Sequence, residues 1–320
     1  MNAINKIQTL IIAVAVILGI LLGQNETIGS YARYFIVPFL MIMLYCIFLN
    51  IPVKDLAKGF VNTKFLSVSL LINFLWTPIV AYFLGFLFLE NHLSLWIGFV
   101  MLMVTPCTDW YLIFTNLSKG NTPLAASILP LNLLLQVILL PIYLLLFFNK
   151  TGTLEINMLI ESILLVLMVP FILAQLTRYF AFKTKKINLI ENRILPFIDP
   201  FQVIFLGLAI LAMFASNGEY LTNNLNVLYI LLFPLLLFFL INFLLSRFIG
   251  HLLKFSYEDS VSLSLTTIAR NSPISLAIAV TAFPDKPLIS LALVIGPLIE
   301  LPILALISYF LLRIKKMSLE

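Results

Sequence analysis

Apolar runs of about 20 residues, each long enough to cross a bilayer, follow one another from Ile7 to Leu312. No polar block between them is large enough for a soluble domain. Hydrophobic residues make up 62% of the 320 and charged residues 10%, with a mean hydropathy of +1.11. Both values lie far outside the soluble range. The pattern is that of an all-α, polytopic membrane protein forming one transmembrane domain over residues 1–320.

Ten spans fit the hydropathy, roughly at 6–23, 31–50, 65–88, 95–117, 122–148, 156–181, 196–216, 226–250, 259–283 and 287–312. The fourth and ninth are expected to be broken. Assigning alternate loops to opposite sides puts fifteen of the 19 lysines and arginines on one side and three (Arg33, Lys150 and Lys286) on the other, with Arg270 inside the membrane. The positive-inside rule then places both termini in the cytoplasm, in the inner (plasma) membrane. The net charge of +5 is thus a topology signal and not a nucleic-acid footprint. The first apolar run lacks a small-residue cleavage site and reads as an uncleaved helix. Two cysteines, Cys46 and Cys107, both lie in apolar segments and suggest no disulfide framework.

The chain repeats itself weakly at half its length. Pro38, Pro78, Pro106 and Pro141 answer to Pro200, Pro234, Pro273 and Pro302, at offsets of 162, 156, 167 and 161 residues. Each half, 1–150 and 151–320, would hold five spans. An odd number makes the second half enter from the opposite face, so the repeat is inverted.

Two short polar interruptions stand out in the oily helices: Thr105-Pro106-Cys107-Thr108-Asp109-Trp110 and Thr266-Thr267-Ile268-Ala269-Arg270-Asn271-Ser272-Pro273. Each puts an ionisable side chain and a proline at membrane depth, where charge is expensive and proline frees backbone groups. Such segments persist where they line a cavity. In the fourth span Thr105 can cap and Pro106 can occupy the first turn of a restarted half-helix; Ser272 and Pro273 repeat that start in the ninth. Both restarted halves would aim positive ends at mid-membrane, which suits an anionic or strongly dipolar solute. Arg270 falls near the C-terminal end of the preceding half, where the dipole favours a cation. If the broken spans cross, Asp109 and Arg270 are the natural ion pair: either a structural pin, or a coupling pair in which Asp109 gains and loses a proton.

A lone membrane cysteine usually packs as a small apolar residue, and Cys46 fits that description. Cys107 sits on the break, beside a helix end that stabilises a thiolate. A single soft thiol there can hold a trivalent metalloid reversibly. Thr108, Asn271 and Ser272 supply hydrogen bonds at the breaks, and Asn132 and Gln136, four apart on one helix face, form a polar stripe. Asn73, Thr77 and Asn116 are further polar candidates along a cavity. Glu300, an acid in an apolar helix, is a further coupling candidate. His92 and His251 fall in loops, so no base accompanies a nucleophile at depth, and neither an enzyme nor a bound cofactor or metal is implied.

At these residues the chain resembles the superfamily that joins bile acid:sodium symporters with arsenical-resistance (arsenite efflux) permeases. Gly296 to Pro302, Leu276 to Val280, the Gln136 region and Leu117-Ser118-Lys119-Gly120 are similar to the arsenite branch, whose fourth-span cysteine falls on Cys107. The chain departs from that branch at Pro106, where the branch has arginine, and at Ile274 or Ser275, where it has glutamate. It departs from the symporter branch's sodium ligands at Thr266, Tyr111 and Leu112. The resemblance implies an ion-driven carrier with broken, crossing fourth and ninth spans. The solute expected is arsenite or a related metalloid oxyanion; the alternative is a sodium- or proton-coupled symporter of a small organic anion.

Overall fold

The computed structural model describes residues 3–49, 62–108, 110–149, 156–184, 195–216 and 226–317. Within these residues twelve helices follow in order: α1 (Ala3–Leu22), α2 (Glu26–Leu49), α3 (Thr63–Leu89), α4 (Leu93–Met103), α5 (Trp110–Leu117) and α6 (Thr122–Phe148). They continue with α7 (Asn157–Lys183), α8 (Leu195–Ser216), α9 (Asn226–Leu252), α10 (Tyr257–Ile268), α11 (Ser272–Ala282) and α12 (Pro287–Met317). Among the described residues there is no strand, only one isolated bridge. Among the described residues, six helices are long and apolar enough to cross a bilayer, and four shorter apolar ones accompany them. The chain is a multi-pass membrane protein. Prolines inside α2, α6, α8, α9 and α12 are accommodated as they are in membrane helices generally.

The helices form two compact units, each discontinuous in sequence. One takes 1–55, 155–227 and 273–290. Here α8 packs against α2 and α1, and α7 lies on α2. The approach of α1 to α8 is set by glycine: a Cβ on Gly19 would stand 2.6 Å from Phe214 Cβ, and one on Gly23 2.7 Å from the Ala215 carbonyl. Small residues let membrane helices touch backbone to backbone, where lipid offers no hydrophobic drive for association. Tyr45 and Thr177 hydroxyls meet at 3.0 Å, and Arg178 Nε caps the Leu49 carbonyl at 3.0 Å.

The other unit takes 56–154, 228–272 and 291–320. Through Ile72–Trp76, α3 loosens into a π-helical segment, which shifts the register of every residue after it. Tyr143 on α6 donates to the Phe74 carbonyl inside that segment at 2.6 Å. At one end of the unit, Tyr257 bonds the Ser118 and Leu311 carbonyls and Lys315 pairs with Glu258 at 2.8 Å. Asn121 donates to Asp259 at 2.8 Å. These bonds tie the α5–α6 turn and the end of α12 to the start of α10. Lys315 holds the Glu258 carboxyl below its ordinary range, chiefly through that hydrogen bond.

The α5–α6 turn closes with Gly120 N–H on the Thr115 carbonyl at 2.8 Å, and Lys119 carries the left-handed conformation at φ 55°. Gly120 itself is needed for proximity: a Cβ there would lie 2.7 Å from Val261 Cγ1 and 2.8 Å from Thr115 Cγ2, both on buried residues. Gly120→Ala is therefore expected to lower stability by about 1–3 kcal/mol, as overpacking does. Lys119→Gly, which relieves the left-handed backbone, should hold or raise the midpoint. Thermal unfolding of the two variants in micelles checks the pair.

Candidate functional site

The chain leaves helix α4 after Met103 and re-enters helix at Trp110 (α5); it leaves α10 after Ile268 and re-enters at Ser272 (α11). A proline in each stretch withholds the N–H that a continuous helix would need. The backbone groups so freed find each other. Pro106 and Arg270 form an antiparallel bridge, Cys107 N–H donates to the Ala269 carbonyl at 3.0 Å, and Asn271 N–H to the Thr105 carbonyl at 2.7 Å. Both breaks are buried, so these bonds meet the requirement that buried backbone be paired.

One detail departs from the expectation for Pro106. It lies in extended backbone and not in the first turn of a helix, because it is paired with Arg270 across the bridge. Ser272 and Pro273 do open α11. Thr105 turns its hydroxyl back to the Met101 and Leu102 carbonyls, both at 3.0 Å, closing the end of α4.

Arg270, 2% exposed, organises the site. Its Nη1 donates to the Met103 carbonyl at 2.7 Å and its Nε to the Ile268 carbonyl at 3.0 Å. Nη2 reaches the Thr267 carbonyl and, at 3.3 Å, Asn73 Oδ1. These carbonyls are the unpaired last groups of α4 and α10, so one guanidinium caps two helix C-termini, whose dipoles favour a cation. The Arg270 N–H donates to Glu300 Oε1 at 2.8 Å, and the guanidinium carbon stands 5.4 Å from the centre of the Phe238 ring.

Around this core, Asn271 Nδ2 donates to Thr108 Oγ1 at 3.3 Å, and the Ser272 hydroxyl donates to the Leu293 carbonyl. Asn73 Nδ2 donates to Asn132 Oδ1 at 3.4 Å and so extends the network to α6. Gln136 lies one turn beyond Asn132. Both atoms of its amide, together with Asn132 Nδ2 and the Thr266 hydroxyl, are buried with no hydrogen-bond partner among the described residues. Orphaned polar atoms of this kind mark places that water or a solute fills.

Cys107, 2% exposed, follows the bridging Pro106, its backbone pinned by Ala269. Of the residues singled out in the sequence, Cys107, Thr108, Arg270, Asn271, Ser272 and Glu300 share this neighbourhood, and Asn132 joins it through Asn73. Asp109 lies outside the described residues. The sequence does not reveal the carbonyls of Met103, Thr267 and Ile268 as partners, since a backbone oxygen has no residue signature. Asn73 was legible only as an amide in an apolar helix; its contact with Arg270 spans 197 residues of chain.

Residues 37–224, more than half of the chain, match the model of the Sodium Bile acid symporter family. The chain is 26% identical, over 96% of its length and 88% of the relative's, to an uncharacterized transporter, slr0944, of Synechocystis sp.. It is 25% identical to the arsenical-resistance protein Acr3 of Corynebacterium glutamicum, over 85% of this chain and 76% of that one. With Acr3 of Alkaliphilus metalliredigens the identity is 24%, over 92% and 88%.

Proposed function

Since the chain belongs to the Sodium Bile acid symporter family, we propose that it is an ion-driven secondary carrier that exports arsenite or a related metalloid oxyanion through the paired breaks. The observation that carries this reading is Cys107: a buried thiol in the broken stretch of one span, hydrogen-bonded through its backbone to the break of another. A soft sulfur ligand suits a trivalent metalloid. One thiol releases its cargo, whereas two or three converging thiols would retain it. Thr108, Asn271 and Ser272 bind the solute's oxygens, with Asn132 and Gln136 offering further donors and acceptors.

Ten spans in two inverted five-helix repeats, both termini cytoplasmic in the inner membrane, complete the reading. Its support is that each half gives its first two spans to one unit and the rest to the other, apart from 273–290. Transport proceeds by rocking around the fourth and ninth spans. Asp109 takes up and releases the coupling proton, with Arg270 as the opposing charge and Glu300 as a further coupling carboxyl.

The alternative, a symporter of a small organic anion, would use the guanidinium to hold a carboxylate. Four of the five guanidinium N–H groups of Arg270 already go to protein oxygens, which leaves too few for a two-point grip on a carboxylate. Arsenite efflux from a sensitive host carrying the protein tests the reading. Export above the empty-vector level is expected; sodium-dependent uptake of an organic acid, without export of arsenite, would replace it with the symporter.

A further inference from the structure

We propose that the guanidinium of Arg270 stands in for a dissociable coupling cation: it fills an oxygen cage where two helix C-termini meet, so the carrier needs no free alkali cation there. A variant lacking it acquires a site for one. This rests on the reading of the chain as an ion-driven carrier, though not on the identity of its solute.

The cage is made of the Met103, Thr267 and Ile268 carbonyls and Asn73 Oδ1. Neutral backbone and amide oxygens of this type are what hard cations take from proteins, and carbonyls at the ends of broken membrane helices are a recurrent source of them. Several groups around the cage favour a cation. Two helix C-termini contribute about half an electron charge each, Glu300 accepts from the Arg270 N–H at 2.8 Å, and the face of Phe238 lies 5.4 Å from the guanidinium carbon. A site built this way demands a cation, and the chain supplies it covalently.

Two consequences follow from the tether. A second cation would find its oxygens already taken and would meet a unit positive charge at low dielectric, where repulsion is strong. The tethered charge is present at every stage of the cycle and cannot be released to either side, so it draws nothing from a sodium gradient. It fixes α4, α10 and the π segment of α3 to one another while another group carries the coupling ion.

The test is thermal unfolding of the purified protein in micelles, with sodium exchanged for choline at constant ionic strength. The wild-type midpoint should be the same in both. Arg270→Ala should melt lower, and its midpoint should rise saturably with millimolar guanidinium, sodium or potassium, but not with choline. A wild-type midpoint that depends on sodium, or an alanine variant indifferent to every small cation, would overturn the proposal. Should that variant not accumulate, wild-type transport in vesicles decides: it should survive replacement of sodium by choline, and its loss would be fatal. A negative result at Cys107 would leave the cation response untouched, so the two proposals fall separately.

Discussion

Serine in place of Cys107 is expected to return arsenite tolerance in a sensitive host to the level of cells without the protein, with the amount of folded protein unchanged. The swap preserves shape closely, replacing a thiol by a hydroxyl at a position 2% exposed. The backbone bond to Ala269 does not involve the side chain. What changes is the chemistry: a hydroxyl is a hard ligand with little affinity for a trivalent metalloid. If the thiol contributes about 3 kcal/mol to holding the solute, its removal lowers apparent affinity by roughly two powers of ten. Cys46→Ser, in the helix that carries no break, serves as the control and should keep tolerance. Equal tolerance in wild type and Cys107→Ser would mean that the thiol only packs.

The second large effect is expected at Glu300. Glu300 is 3% exposed; its carboxyl accepts the Arg270 main-chain N–H at 2.8 Å and attracts, through space, the guanidinium charge of the same residue. Glu300→Leu removes both services at once, leaving a buried cation less compensated and a buried N–H unbonded. The expected cost is about 3–5 kcal/mol. Glu300→Gln retains an acceptor for the N–H and gives up only the charge, at about 1–3 kcal/mol. Unfolding in micelles should rank wild type above the glutamine variant and the glutamine variant above leucine. If leucine matched glutamine, the acceptor for the Arg270 N–H would carry none of the cost.

Much of this site could be read from residue types alone. A proline and an ionisable group inside an apolar run have few stable solutions in lipid, so residue types alone locate both interruptions. The dipole argument also put Arg270 at the C-terminal end of a half-helix, where its Nε meets the Ile268 carbonyl. By charge, the partner to expect for it is Asp109. The partners found among the described residues are backbone oxygens, an amide and, through the main-chain N–H, Glu300. Charge complementarity is visible in a sequence, whereas unpaired carbonyls become acceptors only once the helices have broken. Pro106 illustrates the same limit. Proline is compatible both with a first helical turn and with extended chain, and the bridge to Arg270 selects the second.

Residue types alone place this chain in a bilayer, break two of its apolar stretches and keep one arginine among them. Solvation dictates these outcomes residue by residue: lipid rejects polar atoms, and proline lacks a donor. Tertiary structure decided which helix ends the arginine would cap, bringing the Met103 carbonyl to it across 167 residues. It also decided that Asn73, inside the π segment of α3, would face it. Such choices belong to distance and register, which arise when whole helices pack and which no single residue encodes.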